Sequence, residues 1–573
     1  MAKGEPLAGG SWPGRPTQEE IEAKRAARAV KRTAEQALQA AKEETLRAAL
    51  LGQGPDDGPE LLSKDESGRQ LFFPRRWSHT GPEESKGGIR ILSWNMLAQG
   101  LVRRKLFPGS DCLKMADRSP GLSAELLAHR FDIGCFQEVD RTDIHFATLE
   151  KGKFAYVYEK GYSVKQHGLM ISWRTVPRRL RTSPSPQAEH EASGWSSSFE
   201  REPLATKIAF LDDLDVTPYL SSTSRAKRET LGPHARRAGS RQTRNIALFV
   251  ALRVAAGAGS HPEQGEASQI RAGGGCRGVI VATTHLFWHP MHAYERVRQA
   301  GLVLRELDAF RKSQPEWQGW PVILAGDFND QPHSATYHFL TGSKLTSHCE
   351  TEITASSVIH QTIDARAERE ATDIEHAGIK QTNAPVSTPD GHEEGEGGEA
   401  ADEEEAGADD QVRKNCRTAL QKDGLLCLEE FHELYGVNGP RALSTYGVYN
   451  QDTGNFFGTP GRGRERWDEH WTPETPNLHE GPSREPMWTI FSSLFSLTLD
   501  YIFLLPTSRV DGKAPEMYPR VLSLLPTHRT HVLQPGIPRK SVCCSDHIAI
   551  GAEIDPQDYL MKAQVAGTKS GQP

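Results

Sequence analysis

The sequence predicts an α/β fold, and three observations lead there. Short aliphatic runs recur along the chain, most of them end in a polar signature, and stretches of helical character lie between them. Ile89-Arg90-Ile91-Leu92, Ile133-Gly134-Cys135-Phe136, Val279-Ile280-Val281-Ala282, Val322-Ile323-Leu324-Ala325 and Val542-Cys543-Cys544 read as strands. The signatures attached to them are Ser93-Trp94-Asn95, Gln137-Glu138, Thr284-His285, Gly326-Asp327-Phe328-Asn329 and Ser545-Asp546-His547. A sixth, Leu499-Asp500-Tyr501, adjoins Ile502-Phe503. A hydrophobic run that ends in a carboxylate, amide or imidazole delivers that group to the rim of a sheet. Six such deliveries build one acidic pocket with two histidines.

Taken in order, residues 17–50 read as one helix. Thr17 and Glu20 make a capping-box signature after Pro16. Lys24, Arg25, Arg28, Lys31 and Arg32 cluster near its start, and no face of it is apolar enough to seek a core. It reads as a solvated helix, with a basic arm for RNA as the functional alternative. Residues 1–71 therefore form a basic, partly disordered helix and linker, and residues 72–556 one catalytic domain opened by Phe72-Phe73-Pro74-Arg75-Arg76-Trp77. Within it, Gly121–Ala128 reads as a helix, and Phe154–Tyr158 and Gly168–Trp173 as strands. Ile246–Val250 and Val279–Ala282 read as an antiparallel pair. Three insertions interrupt the pattern, near 181–242, 256–275 and 351–415. Loops this long inside a compact domain are normally disordered or functional, so all three are expected to be disordered decorations, although Ala205–Leu211 has the makings of a strand. Residues 557–573 are expected to be a tail.

The chain has 573 residues, of which only 37% are hydrophobic, with 52 Gly and 36 Pro. That composition points to fewer domains than the length allows and to much loop. The net charge of −7 is segregated, because residues 391–412 are almost purely acidic and small. The tract reads as a solvated loop, so the overall sign says little about the surface of the fold. No run of about 18 apolar residues exists, and no secretory h-region follows Met1. The eight cysteines lack zinc-type spacing and fit reduced thiols. An intracellular protein, nuclear or cytoplasmic, with no membrane partner is expected.

The pocket's donors are mostly hard oxygens, which suits Mg2+, as one ion or two, with Mn2+ as an alternative ion. Zinc would want several His or Cys at one point. Phosphodiester hydrolysis needs an activated water, stabilisation of developing charge and help for the leaving oxygen.

In order and wording these signatures resemble the exonuclease-endonuclease-phosphatase superfamily, whose fold is DNase I-like, and within it the deadenylase and nocturnin branch. Ile91–Ala98, Thr284–Pro290, Gly326–Pro332, Leu499–Phe503 and Pro535–Lys540 through Ser545–His547 carry the likeness, which is similar overall to the fungal RNA exonucleases of that branch. The resemblance implies a four-layer α/β sandwich: two packed mixed β-sheets flanked by helices, with the pocket at one sheet edge. It implies Glu138 as the principal metal ligand, Asn95 as its neighbour at the metal and phosphate site, and Asp546 near the metal. Asp327 resembles the group that orients or deprotonates the attacking water, and Asn329 a contact to the scissile phosphate. His285 and His547 resemble phosphate-binding histidines, with Asp500 as the carboxylate that orients His285. Lys165, Pro290, Phe495 and Asn245 fall on the substrate side, Pro290 and Phe495 as the faces holding a terminal base.

Two departures weaken a specific claim on poly(A): His167-Gly168 where deadenylases often carry Asp-Gly, and Trp488-Thr489-Ile490 where they carry Thr-Asn. No leucine-rich repeat precedes the catalytic stretch, which favours a free-standing enzyme. The resemblance implies a Mg2+-dependent 3′→5′ exoribonuclease that releases 5′-mononucleotides, acting on poly(A) or on structured 3′ ends such as those of ribosomal precursor particles. Rival readings are a nocturnin-like phosphatase on a nucleotide such as NADP(H), an abasic-site DNA endonuclease, and a non-enzymatic binding protein of RNA particles.

Overall fold

The computed structural model describes residues 62–79, 88–176, 198–255, 277–365, 415–436, 441–447, 485–507 and 517–561. The helix read at 17–50, the insertion at 256–275 and the acidic tract lie outside the described residues.

Thirteen of the described strands make two sheets. They are β1 (Ser78–His79), β2 (Ile89–Asn95), β3 (Ile133–Val139), β4 (Phe154–Glu159), β5 (Gly168–Arg174), β6 (Ala205–Phe210) and β7 (Ile246–Arg253). There follow β8 (Gly278–His285), β9 (Val322–Asp327), β10 (Leu443–Ser444), β11 (Asp500–Leu505), β12 (Met517–Leu525) and β13 (Ile550–Met561). The first sheet runs β1-β12-β13-β2-β3-β5-β4 and the second β10-β11-β9-β8-β7-β6. Both are mixed, because β2–β3 and β8–β9 are parallel and the remaining pairs antiparallel.

The alternation of side chains in these strands makes three cores. Ile89, Ile91, Ile133, Ile171, Val281, Ile323, Ala325, Ile502 and Ile550 point between the sheets. The intervening residues point outward. Leu92, Trp94 and Phe136 meet Leu122 and Leu126 of α1 (Met115–Ala128) and Leu149 of α2 (Thr142–Lys151). Ile280, Ala282, Val322 and Leu324 meet Val297, Val303 and Leu307 of a long helix at Ala293–Lys312. Strands with both faces buried require near-continuous apolar runs, which is why the runs were readable. The result is helix, sheet, sheet, helix, as the resemblance implied. The pocket lies at the rim made by the ends of strands β2, β3, β9 and β11.

Residues 198–242, expected as part of a disordered insertion, are instead built into the second sheet and its cover. Ala205–Phe210 pairs along β7, and two helices follow, α3 (Ser222–Glu229) and α4 (Pro233–Arg237). Ala209, Leu211, Val216, Leu220 and Ala238 are in the core. Arg228 is buried against Glu430 at 2.6 Å and against the carbonyls of Ala235 and Gly424. A polar composition hides this order, because part of it depends on a charge, Arg228, that is matched inside the fold. Likewise residues 351–355 finish α6 (Ser347–Ala355), counting Ala293–Lys312 as α5. Residues 358–360 pair with 416–418. Strand β13 continues to Met561, beyond the expected end of the domain at 556. Val542-Cys543-Cys544 is a turn-rich loop rather than a strand. In it Cys543 Sγ donates to the His547 carbonyl and the Cys544 sulfur lies 3.5 Å from that of Cys112.

Candidate active site

Most of the site residues continue the inter-sheet stripe. Asn95 follows Ile91 on one face of β2, Asp327 follows Ile323 and Ala325 on β9, Asp500 precedes Ile502 and Leu504 on β11, and His285 follows Val281 on β8. Register then aligns them: parallel pairing sets His285 beside Asp327, and antiparallel pairing sets Asp500 opposite Asp327. Gly326 allows β9 to pass so close to β8, since a Cβ there would stand 2.1 Å from the Thr284 carbonyl oxygen.

Glu138 breaks the stripe. Regular alternation would turn it outward with Phe136. Instead Phe136 pairs with Met170 and Val139 with Gly168, so two residues of β3 face one of β5, and Glu138 has φ 55. This is a β-bulge, and bulges re-aim side chains. The carboxylate is swung onto Asn95 and held there. Asn95 Nδ2 donates to Glu138 Oε1 and to Asp327 Oδ2, at 3.0 Å each, and the Ala98 N–H donates to Glu138 Oε2 at 3.0 Å.

Asp546 and His547 arrive on the loop before β13. Trp94 Nε1 donates to the His547 carbonyl at 2.9 Å, and Ser545 Oγ donates to the Asn95 carbonyl at 2.7 Å. His547 Nδ1 lies 2.8 Å from Asp500 Oδ2, and its Nε2 lies 3.7 Å from Asp327 Oδ2. His285 Nε2 is 3.5 Å from the same Asp327 oxygen. One expected partnership is therefore corrected: the hydrogen bond of Asp500 goes to His547, not to His285. Asp500 starts its strand opposite Asp327, where the loop carrying His547 closes over it. Asp500 is itself fixed by Thr489 Oγ1, which accepts from the Leu499 and Asp500 N–H groups.

The electrostatics follow from burial and neighbours. Burial and the Asp500 charge push the Asp327 carboxyl up to about 7, against the pull of His547 and the Asn329 N–H. Burial raises Asp546 to about 6, opposed by His547 and Arg118. His547 is pulled the other way: burial disfavours its charge, but Asp500 and Asp327 hold it well above the usual imidazole range. His285 is depressed to about 4 by burial and is neutral at pH 7. Burial opposes the Glu138 charge as well, yet His285, His167 and the Asn95 and Ala98 donors bring it down to about 2.

A cation fits these residues. Asp327, Asp500 and His547 offer ligand atoms within 4.8 Å of one another, all buried, and Asp500 Oδ1 is buried without a hydrogen-bond partner. Because His547 is charged and bonded to Asp500, the carboxylates and the Asn95 oxygen are the better donors. Glu138, Asn95 and Asp546 form the neighbouring oxygen set.

The remaining expected residues are more varied. Asn329 donates its N–H to Asp327 Oδ1 at 2.9 Å and its amide to the Leu286 carbonyl at 3.0 Å. Asn245 spends its amide on the His285 carbonyl at 2.8 Å, so it braces the histidine's strand. Lys165 is half-buried in the turn before β5, and its charge depresses His285 and His167. Pro290 is exposed, with its carbonyl held by Arg296 at 2.9 Å. Phe495 is 41% exposed in a hairpin turn, not core.

Arg118 and Thr489 had gone unnoticed in these roles. Arg118, buried in α1, donates to the carbonyls of Met96, Leu97 and Cys544, and so ties the Asn95 loop to the Asp546 loop. A lone arginine in a helix carries no sequence signal of that kind. Trp94 lay inside a quoted signature, but its tie to His547 depends on the fold.

A probable RNA exonuclease of Schizosaccharomyces pombe is 29% identical over 296 residues, covering 51% of this chain and 46% of that protein. The RNA exonuclease NGL2 of Saccharomyces cerevisiae is 28% identical over 365 residues, 59% of each chain. The mouse 2′,5′-phosphodiesterase 12 is 26% identical over 305 residues, 52% of this chain and 43% of that protein. The chain thus spans about half the length of the curated relatives it matches. A crystal structure of ANGEL2, a 2′,3′-cyclic phosphatase, aligns over 84% of this chain and 98% of that one, at 16% identity and a TM-score of 0.44. The Endonuclease/Exonuclease/phosphatase family model matches residues 92–547, and the chain belongs to that family.

Proposed function

We propose that this protein is a Mg2+-dependent 3′→5′ exoribonuclease that releases 5′-mononucleotides, in 3′-end processing or in poly(A) shortening. One observation carries the reading: a single amide, Asn95, bridges Glu138 on the first sheet and Asp327 on the second. It joins an oxygen-rich cation position to a buried carboxyl that changes charge near neutral pH. The RNA exonucleases among the relatives make RNA the substrate class to test first.

Glu138, Asn95 and Asp546 would hold the ion, which when bound would polarise a phosphate oxygen and offset the charge that builds up on it. Asp327, raised to about 7, takes the proton from the attacking water, the range in which a general base works best. His547, charged and oriented by Asp500, keeps its Nε2–H for a phosphate oxygen. His285, neutral, sits on the far side of Asp327 as a second imidazole donor. Asn329 and Lys165 serve the phosphates, and Pro290 and Phe495 flank the terminal base, where stacking contributes about 1–3 kcal/mol. Asn245 acts by bracing His285.

The test is a denaturing-gel time course on two 5′-labelled RNAs, an oligo(A) and a mixed-sequence 3′ end, with Mg2+. Ladders shrinking from the 3′ end in both are expected. Glu138→Ala and Asp546→Ala should each abolish turnover and leave the circular dichroism spectrum unchanged; full activity in either sinks the assignment. Absence of cleavage in both RNAs would move a nucleotide phosphatase to first place, with NADP(H) as the next substrate.

A further inference from the structure

Behind the loop that carries Asp546 and His547, two thiols are in contact. Cys112 lies on the loop between β2 and α1, and Cys544 stands two residues before Asp546. Their sulfurs are 3.5 Å apart and both side chains are buried. The neighbouring Cys543 is turned away, its Sγ donating to the His547 carbonyl. Gly121 of α1 leaves the space that the Cys544 sulfur fills, since a Cβ there would stand 2.3 Å from that sulfur. The meeting is a product of the fold, because 432 positions of chain separate the two cysteines.

The two loops are already tied on either side of the sulfurs. Ser110 Oγ donates to the Pro538 carbonyl at 2.5 Å and accepts from the Cys112 N–H at 3.1 Å. The Lys540 N–H donates to Asp111 Oδ1 at 2.9 Å, and its ammonium pairs with Asp117 at 2.7 Å. Arg118 Nε donates to the Cys544 carbonyl at 2.9 Å. These ties hold the thiols together, and a disulfide of about 2.05 Å needs the sulfurs to close by only about 1.5 Å. Neither thiol takes part in the metal and phosphate contacts assigned above. Asp111 and Lys114, on either side of Cys112, are exposed, so the pair lies directly beneath a surface loop.

We propose that Cys112 and Cys544 are a modification site, a dithiol that a hydroperoxide oxidises to a reversible disulfide. The bond would fasten the loop after Asn95 to the loop that carries Asp546. One thiol attacks the O–O bond of the peroxide and becomes a sulfenic acid, releasing an alcohol, or water where the oxidant is hydrogen peroxide. The other thiol attacks the sulfenic sulfur; the S–S bond forms, and the hydroxyl leaves as water with the thiol proton. Two electrons pass from the sulfurs to the peroxide, and a dithiol reductant returns them by exchange. Transient disulfides of this kind are compatible with a chain whose thiols are otherwise reduced. The inference goes beyond the proposed activity and does not depend on it.

The experiment starts from the full chain, reduced, freed of reductant and exposed to hydrogen peroxide. It is then alkylated, digested with trypsin without reduction and mapped by mass spectrometry. The expected product joins the peptide 106–114 to the peptide 541–562, is lighter than their sum by two hydrogens, and disappears after dithiothreitol. Cys543→Ser should keep that product, whereas Cys112→Ala and Cys544→Ala should each lose it. In urea the midpoint of the oxidised protein should lie above that of the reduced protein by on the order of 1 M, because a link closing so long a stretch restricts the unfolded chain. In Cys112→Ala, peroxide should leave the midpoint where it was. A link made through Cys543, or free thiols at Cys112 and Cys544 while the exposed Cys427 is oxidised, overturns the proposal. An unmoved midpoint in the linked protein overturns the fastening.

Discussion

His547 and Asp500 act as one unit. The imidazole is charged because the carboxylate lies 2.8 Å from Nδ1, and the backbone that carries the carboxylate is fixed because the Leu499 and Asp500 N–H groups both donate to Thr489 Oγ1. Groups that act together lose activity together. Asp500→Asn and His547→Gln should each lower kcat by about 10²–10⁴, and the double variant should be little worse than either. Multiplicative losses in single-turnover kinetics would separate the two roles. Trp94→Phe tests a different bond. It keeps the ring in the outer core and deletes the donor to the His547 carbonyl, a loss of about 1 kcal/mol in denaturant unfolding, with a fall in kcat as the loop loosens. At this scale the sequence was informative about identity and silent about orientation. Asn95, Glu138, Asp327 and His547 were recognisable as letters, whereas the partner of Asp500 depended on which loop closes over β11.

At the scale of elements, order is decided by where charges end up. Strands β2, β3, β8 and β9 were legible because both faces of each are buried, which forces unbroken apolar runs. Residues 198–242 were not, because their order comes from buried arginine. Arg228 is matched to Glu430 by two hydrogen bonds, at 2.8 and 2.6 Å, and so pins α3 to the helix at Leu428–Tyr435. Removing one partner of such a pair strands the other, at a cost of about 3–5 kcal/mol. Arg228→Met should therefore lower stability by that order, and Arg228→Met/Glu430→Met should recover much of it. A chemical-denaturation series distinguishes this from a loosely attached loop, for which neither change would register. The bulge at Glu138 escaped sequence reading for another reason. Nothing in Gln137-Glu138-Val139 marks a residue with positive φ; the extra residue shows only against β5.

For the whole molecule, the buried histidines set an acid limit. Burial and the nearby Arg118 depress His145 to about 4, and burial and Arg241 depress His292 to about 2. Both titrate near 6.5 in an unfolded chain. Between these values the unfolded state binds the extra protons, so stability rises with pH there. It is complete above 6.5 and declines as pH falls toward 4, by on the order of 2–3 kcal/mol for His145 alone. The urea midpoint should drop between pH 7 and pH 5, and His145→Gln should flatten that drop. The four-layer plan was legible from signatures in a fixed order. Which strands lie next to one another at the pocket's rim required the topology.

That topology has a consequence for synthesis. β13 lies in the middle of the first sheet, between β12 and β2, and the loop bearing Asp546 and His547 immediately precedes it. Asn95 and Glu138 are synthesised about 450 and about 410 residues before His547. Until that strand is inserted, the growing polypeptide has a gap at the heart of one layer and half a pocket.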